Sequence, residues 1–222
     1  MNKRKTLLII LITLVCCAVM TVVDGYIRPA YAVKSAIKIV VFGLLPALLC
    51  LRCRELQFLQ LLRFQKQGFG IALALGVGVY AVIMAAYFII SRFFDFSGIV
   101  DSLSRNAGVT KDNFLFVSLY ISFVTSLLEE LFFRGFVFTN LKSGGKRPFA
   151  YGFSAIAFAL YHTAMMAGWF SPVLFLLAMA GLAIGGMIFN YLNERTGTLY
   201  CSWLVHMAAN FAINTVGFIL MK

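Results

Sequence analysis

Long apolar runs alternate with short polar breaks along this chain, and the length of the runs sets the first expectation. Thr6 to Val23 is continuously apolar behind Lys3, Arg4 and Lys5. Val33–Leu51, Gly68–Ile90, Phe114–Asn140, Phe149–Ala167, Val173–Asn193 and Thr198–Leu220 follow. A helix needs about 20 apolar residues to cross the hydrocarbon core of a bilayer, with a range near 17–25. The pattern therefore predicts an all-α, polytopic transmembrane helical bundle of about seven spans.

The breaks add detail. Arg52 to Gln67 mixes Arg52, Arg54, Glu55, Arg63 and Lys66 with Leu56, Phe58, Leu59, Leu61 and Leu62. That mixture predicts an interfacial amphipathic helix after the second span. Lys34 and Lys38 fall in the first turns of the second span, where long side chains snorkel to the interface, and Pro46 predicts a kink. Gly181 and Gly185 give the sixth span a small-xxx-small face for close helix approach. Arg92 to Asn113 reads as a polar loop. It separates residues 1–113, with three spans, from residues 114–222, with the rest. A cleaved signal peptide is the rival reading of the first run, because Ala30-Tyr31-Ala32 resembles a cleavage site. The apolar core exceeds the roughly 7–15 residues usual for a signal.

Composition supports the membrane class: 62% of residues are apolar and 12% charged, against about 25% charged in soluble domains. The net charge of +11 raises nucleic acid as a partner, but the lysines and arginines cluster at the ends of apolar runs. No basic stripe with interleaved aromatics exists, so nucleic acid is not an expected partner. With the N-terminus cytoplasmic, eleven of the nineteen basic residues fall inside and six outside, and Lys38 and Arg134 lie within spans. The positive-inside rule therefore favours an N-terminus in the cytoplasm. Of the five cysteines, Cys50 and Cys53 form a lone CxxC with no second pair and no histidine nearby, which is weak support for redox or metal chemistry.

Few strongly polar residues remain deep in the spans. They are Glu129, Glu130 and Arg134 in the fourth, His162 in the fifth, and His206 and Asn210 in the seventh; the chain has two histidines in all. An ionisable residue at membrane depth costs roughly 2.5–3.5 kcal/mol on insertion scales and faces a protein interior or a wet cavity. Residues four apart share a helix face, which pairs Glu130 with Arg134. Glu129 is rotated about 100° away and has no built-in partner, as suits a general base. Counting about 1.5 Å per residue puts Glu129, His162 and His206 in overlapping layers roughly 12–20 Å from the inner surface.

Glu129-Glu130-x-x-x-Arg134, Phe158-x-x-x-His162 and His206-x-x-x-Asn210 resemble the three motifs of the CPBP intramembrane proteases. That family includes CAAX prenyl endopeptidases of the Rce type and Abi proteins of bacteriocin processing and self-immunity. Phe133-Arg134-Gly135, Gly181 to Gly185 and Glu194 to Thr198 agree as well. The resemblance covers about residues 114–215 and makes 114–222 the protease core. It implies that Glu129 activates the hydrolytic water with help from His162, and that His206 and Asn210 polarise the scissile carbonyl and stabilise the oxyanion. It also implies that Glu130, Arg134 and Phe158 support the site. Glu129, His162 and His206 equally make a ligand set for a catalytic Zn²⁺ with one open position, though HExxH is absent. Zn is the one cofactor to consider, and the sequence leaves glutamate and metal mechanisms both open.

Other intramembrane protease classes fit poorly. Asp24, Asp95, Asp101 and Asp112 fall in loops or at edges, and neither Ser154 nor Ser202 sits in a Gly-x-Ser-Gly loop. The expectation is thus an intramembrane endopeptidase in a bacterial plasma membrane, cutting near its cytoplasmic half. Its substrate would be a prenylated C-terminus, a bacteriocin leader or another membrane-protein segment. A non-catalytic immunity protein, or one that binds a sensor kinase, is the alternative by family analogy. The oligomeric state is not readable from the sequence.

Overall fold

The computed structural model describes residues 3–53, 56 and 60–221. Its helices are α1 (Lys3–Ile27), α2 (Tyr31–Arg52), α3 (Phe69–Ile90), α4 (Ser97–Ala107), α5 (Phe114–Ser143), α6 (Arg147–Tyr161), α7 (Pro172–Thr196) and α8 (Leu199–Leu220). No strand occurs among the described residues. Among the described residues, six helices, all but α4 and α6, are long and apolar enough to cross a membrane. Their outward faces carry exposed apolar side chains such as Ile71, Val77 and Val82 on α3 and Leu176 and Ile184 on α7. A helix that is apolar all round belongs in lipid, so this is an integral membrane protein.

Contacts between elements define two ends of the bundle. At one end, Thr198 Oγ1 donates to the Leu61 carbonyl at 3.4 Å, and Arg147 pairs with Glu194 at 2.9 Å. At the other end, Gly25 lies beside Ala164, Gly98 lies against the carbonyls of Gly168 and Trp169, and the rings of Phe114 and Phe218 meet at 4.6 Å. The expected fifth span is realised as α6, which stops at Tyr161. Turns over residues 162–171, with Gly168 in the left-handed region (φ 82°), complete the passage to Pro172. The chain thus still runs from one end to the other here, but the helical part is only 15 residues long.

Several expectations are corrected. Of the interfacial helix, residues 54, 55 and 57–59 lie outside the described residues. The described remainder is Leu56 buried in the core and a 3₁₀ turn at Gln60–Leu62, with residues 63–66 irregular. Thr198 holds the Leu61 carbonyl beneath the α7–α8 turn, so this stretch packs on the bundle. Lys34 and Lys38 do not snorkel. Lys34 pairs with a buried Asp24 at 2.5 Å, and Lys38 is buried. Pro46 produces no sharp break. It lacks the N–H that a regular turn would use, and a π-helical turn at Ile39–Leu44 precedes it.

The close helix approach belongs to neither Gly181 nor Gly185, which have open space where a side chain would be. Gly186 makes it. A Cβ there would stand 2.9 Å from Ala155 Cα on α6 and 3.3 Å from Arg134 Nη2 on α5. Gly186→Ala is therefore expected to lower stability by about 1–3 kcal/mol, the range for overpacking a filled core. Gly185→Ala is the matched control, and thermal unfolding in detergent reads both.

Hydrogen bonds between helices fix their register. Asn214 Nδ2 donates to the Ser118 carbonyl (3.2 Å) and Ser122 Oγ (3.0 Å), and Trp203 Nε1 to Ser126 Oγ (2.9 Å), tying α8 to α5. Ser154 Oγ donates to the Phe133 carbonyl at 2.9 Å, and Asn190 Nδ2 to the Tyr151 carbonyl at 3.3 Å, tying α6 to α5 and α7. Such contacts average about 0.6 kcal/mol each in membranes, so they set register more than they set stability. Between these ties lies an aromatic core in which Phe42 of α2 stacks on Phe132 of α5 at 4.4 Å and 12°.

Candidate active site

Helix α5 is irregular where its charges sit. π-helical turns at Ile121–Thr125 and Leu131–Phe138 flank the regular turn Ser126–Glu130. Wide turns of this kind recur at functional sites. Glu129, Glu130 and Arg134 are all buried there.

Glu130 is fully enclosed and fully partnered. Arg134 Nη1 lies 3.3 Å from Oε1, His206 Nδ1 lies 3.1 Å from the same oxygen, and Ser202 Oγ donates to Oε2 at 2.6 Å. The expected i,i+4 pair is therefore present, with α8 completing it. The Arg134 guanidinium lies over the rings of Phe158 (4.4 Å) and Phe189 (4.9 Å), and Nη2 donates to the Gly186 carbonyl at 3.4 Å. Cation–π attraction is strongest in such desolvated positions. Phe158 also meets the rings of His162 (4.7 Å) and His206 (5.7 Å), so it separates and seats both imidazoles.

Glu129 is not the partnerless carboxylate the helix geometry suggested. Its Oε1 receives Lys38 Nζ at 3.3 Å and the Tyr161 hydroxyl at 3.1 Å. Its Oε2 faces His206 Nε2 at 3.7 Å and His162 Nε2 at 3.8 Å. The two oxygens thus have different surroundings: donors hold Oε1, and imidazoles face Oε2.

The outer hydrogen bonds set the histidine tautomers. His162 Nδ1 stands 2.7 Å from the Phe158 carbonyl, which only accepts, so Nδ1 carries the proton. His206 Nδ1 likewise faces the Glu130 carboxylate. In its neutral form, each imidazole then turns a bare Nε2 lone pair towards Glu129 Oε2. Three such acceptors around one point suit a donor between them, and the two O–H groups of a water molecule can serve two of the three at a time. The fixed charges balance: Glu129 and Glu130 against Lys38 and Arg134. Balance matters in this setting because an unpaired buried charge is strongly destabilising.

Asn210 lies one turn beyond His206 on the same face of α8, half-buried, and its Nδ2 donates to the Ile121 carbonyl at a long 3.4 Å. The structure thus brings Glu129, Glu130, Arg134, Phe158, His162 and His206 into mutual contact, and leaves Asn210 beside the cluster. Glu129 sits 14 residues from Ser143, about 21 Å of helical rise, somewhat deeper than the layer counted from the sequence. Lys38, Tyr161 and Ser202 were missed as partners. Lys38 had a legible signal, an ammonium well inside an apolar run. Tyr161 and Ser202 had none, because aromatic and hydroxyl residues are ordinary in spans.

A zinc ion fits this arrangement poorly. The imidazoles are oriented from behind as metal-binding histidines are. Among the described residues, however, no group of three or more His, Cys, Asp or Glu is spaced to hold a metal. Lys38 already occupies one oxygen of Glu129, the carboxylate that faces both histidines, and the four fixed charges already cancel. A divalent ion would add two uncompensated positive charges to a buried site.

Compared with protein-family models, residues 111–212 match the type II CAAX prenyl endopeptidase Rce1-like model. No curated protein and no solved structure matches the chain. The match runs from just before α5 into α8 and leaves Lys38 outside it.

Proposed function

We propose, from the match of residues 111–212 to the type II CAAX prenyl endopeptidase Rce1-like model, that this protein is an intramembrane endopeptidase using water activated by Glu129. One observation carries the reading. Glu129 Oε2 is the point on which both bare imidazole nitrogens converge, while Oε1 is anchored by two donors. A water that donates one O–H to Oε2 and the other to an Nε2 atom gives the first proton to Oε2, and its oxygen attacks the scissile carbonyl carbon. The proton then passes from Glu129 to the leaving amine nitrogen. Because His206 gives its N–H to Glu130, its Nε2 holds the water. The amide of Asn210 becomes the donor for the oxyanion, since its bond to Ile121 is long and easily exchanged.

The basic end of the bundle faces the cytoplasm under the positive-inside rule, which puts the N-terminus inside and the scissile bond close to the midplane. The substrate is a prenylated CAAX C-terminus. No metal takes part in the step.

An internally quenched farnesylated CAAX peptide, added to the protein in proteoliposomes, tests this. Wild type is expected to cleave it, and Glu129→Gln to lose about 10²–10⁴-fold, the usual scale of general acid–base catalysis, while remaining folded. A wild type that leaves the peptide intact rejects the substrate; a fully active Glu129→Gln rejects the mechanism. Prolonged treatment with EDTA or 1,10-phenanthroline is expected to leave the rate unchanged. A loss restored by Zn²⁺ would establish a metal enzyme instead.

A further inference from the structure

The site draws on one residue from outside the family-matched segment. Lys38 comes from α2, 91 positions before Glu129, and its Nζ stands 3.3 Å from Oε1 with both side chains buried. Its placement is built from several sides. Lys34, one turn earlier on the same face, is tied to Asp24. The Lys38 ammonium lies over the Tyr161 ring, 5.2 Å from its centroid. Directly after Lys38, the π-helical turn Ile39–Leu44 carries Phe42 against Phe132, Phe133 and Tyr161 at 4.4, 5.6 and 5.1 Å. Gly43 lets this turn lie against Leu128, since a Cβ there would be 3.4 Å from the Leu128 side chain. These contacts fix the ammonium beside the carboxylate and oppose its withdrawal to the interface.

The consequence is a division of labour within one carboxylate. Resting on the reading of Glu129 as the base, we propose that Lys38 is a positioning residue for it. With the Tyr161 hydroxyl, Lys38 pins the carboxylate through Oε1 and balances its charge. Oε2 is then the oxygen left to take the proton of the water. Glu130 has the equivalent cation in Arg134, supplied from its own helix. Glu129 obtains its cation from α2, so the N-terminal helices take part in the chemistry of the core and do more than hold it in the membrane.

The test uses the full chain as wild type, Lys38→Met, Glu129→Gln, the double variant, Lys38→Arg and, as control, Lys111→Met at an exposed lysine outside the site. Thermal unfolding in detergent needs no substrate. Each single variant at the pair leaves one buried charge unpaired and is expected to lower Tm, while the double variant recovers most of the loss. Strictly additive shifts would overturn the contact. On the farnesylated reporter, Lys38→Met is expected to lower kcat by about a hundredfold with KM within about twofold. Lys38→Arg should recover a large part of the rate, and Lys111→Met should retain it. A residue that only holds the fold would change Tm and leave the kcat of the folded protein intact. Wild-type kcat in folded Lys38→Met, with Glu129→Gln inactive, therefore overturns this inference alone. Activity in Glu129→Gln overturns the reading beneath it. If Lys38→Met does not fold by itself, additivity or recovery in the double variant decides whether the pair exists, and failure of Lys38→Arg to restore the rate overturns the positioning role.

Discussion

Arg134→Met is expected to destabilise the protein by about 3–5 kcal/mol, the scale on which a buried ion pair loses one partner. Arg134 and Glu130 are both fully buried. Methionine fills much of the space but leaves the Glu130 carboxylate without its cation. It also removes the guanidinium from between Phe158 and Phe189 and abandons the Gly186 carbonyl. His206 and Ser202 remain on Glu130 as hydrogen-bond partners, but the permanently charged guanidinium is gone. Glu130→Gln in the same chain should restore most of the stability, because both charges are then gone. Unfolding midpoints in detergent for the two single variants and the double variant give the coupling. A loss below about 1 kcal/mol for Arg134→Met, the size of an ordinary hydrogen bond, would mean that the carboxylate is held by its neutral partners alone.

His206→Ala should have the larger effect on rate. This side chain touches both carboxylates, with Nδ1 at 3.1 Å from Glu130 and Nε2 at 3.7 Å from Glu129, and its ring stacks on Phe189 at 5.0 Å. On the proposed mechanism, removing it takes away an acceptor for the water and the link between Glu129 and Glu130. A loss of about 10²–10⁴ in kcat is expected, with the bundle intact because Arg134 still neutralises Glu130. His162→Ala removes the other acceptor but no bond to Glu130, so it should lower the rate with less effect on stability. The comparison to make is single-turnover cleavage alongside Tm for both variants. A folded His206→Ala that cleaves at the wild-type rate would remove this residue from the mechanism.

Much of this was legible before any coordinates. Run length fixes the helical class, because a bilayer demands spans whose backbone bonds are all internal. The Glu130–Arg134 pair follows from helical periodicity, as does the shared face of Phe158 and His162. These are local relations within one helix. Glu129 was misjudged as partnerless for the same reason: its cation is 91 residues away, and periodicity reports nothing about neighbours at that distance. Lys38 read as an interfacial lysine because the sequence does not say which side of α2 faces the bundle. Gly186 was passed over for Gly181 and Gly185 because the spacing rule cannot tell which glycine faces a neighbour.

The Glu129, Glu130 and Arg134 cluster of the fourth span, the two histidines and the membrane class were determined by the sequence itself. Each rests on residue type and short-range geometry, and lipid makes every misplaced polar group conspicuous. Tertiary structure alone decided which oxygen of Glu129 is anchored and which faces the imidazoles, that α2 supplies the counter-charge, and that Ser202 and Tyr161 complete the cluster. Those are relations between helices, and in a membrane they are set by packing and long-range polar contacts, which leave no periodic trace along the chain.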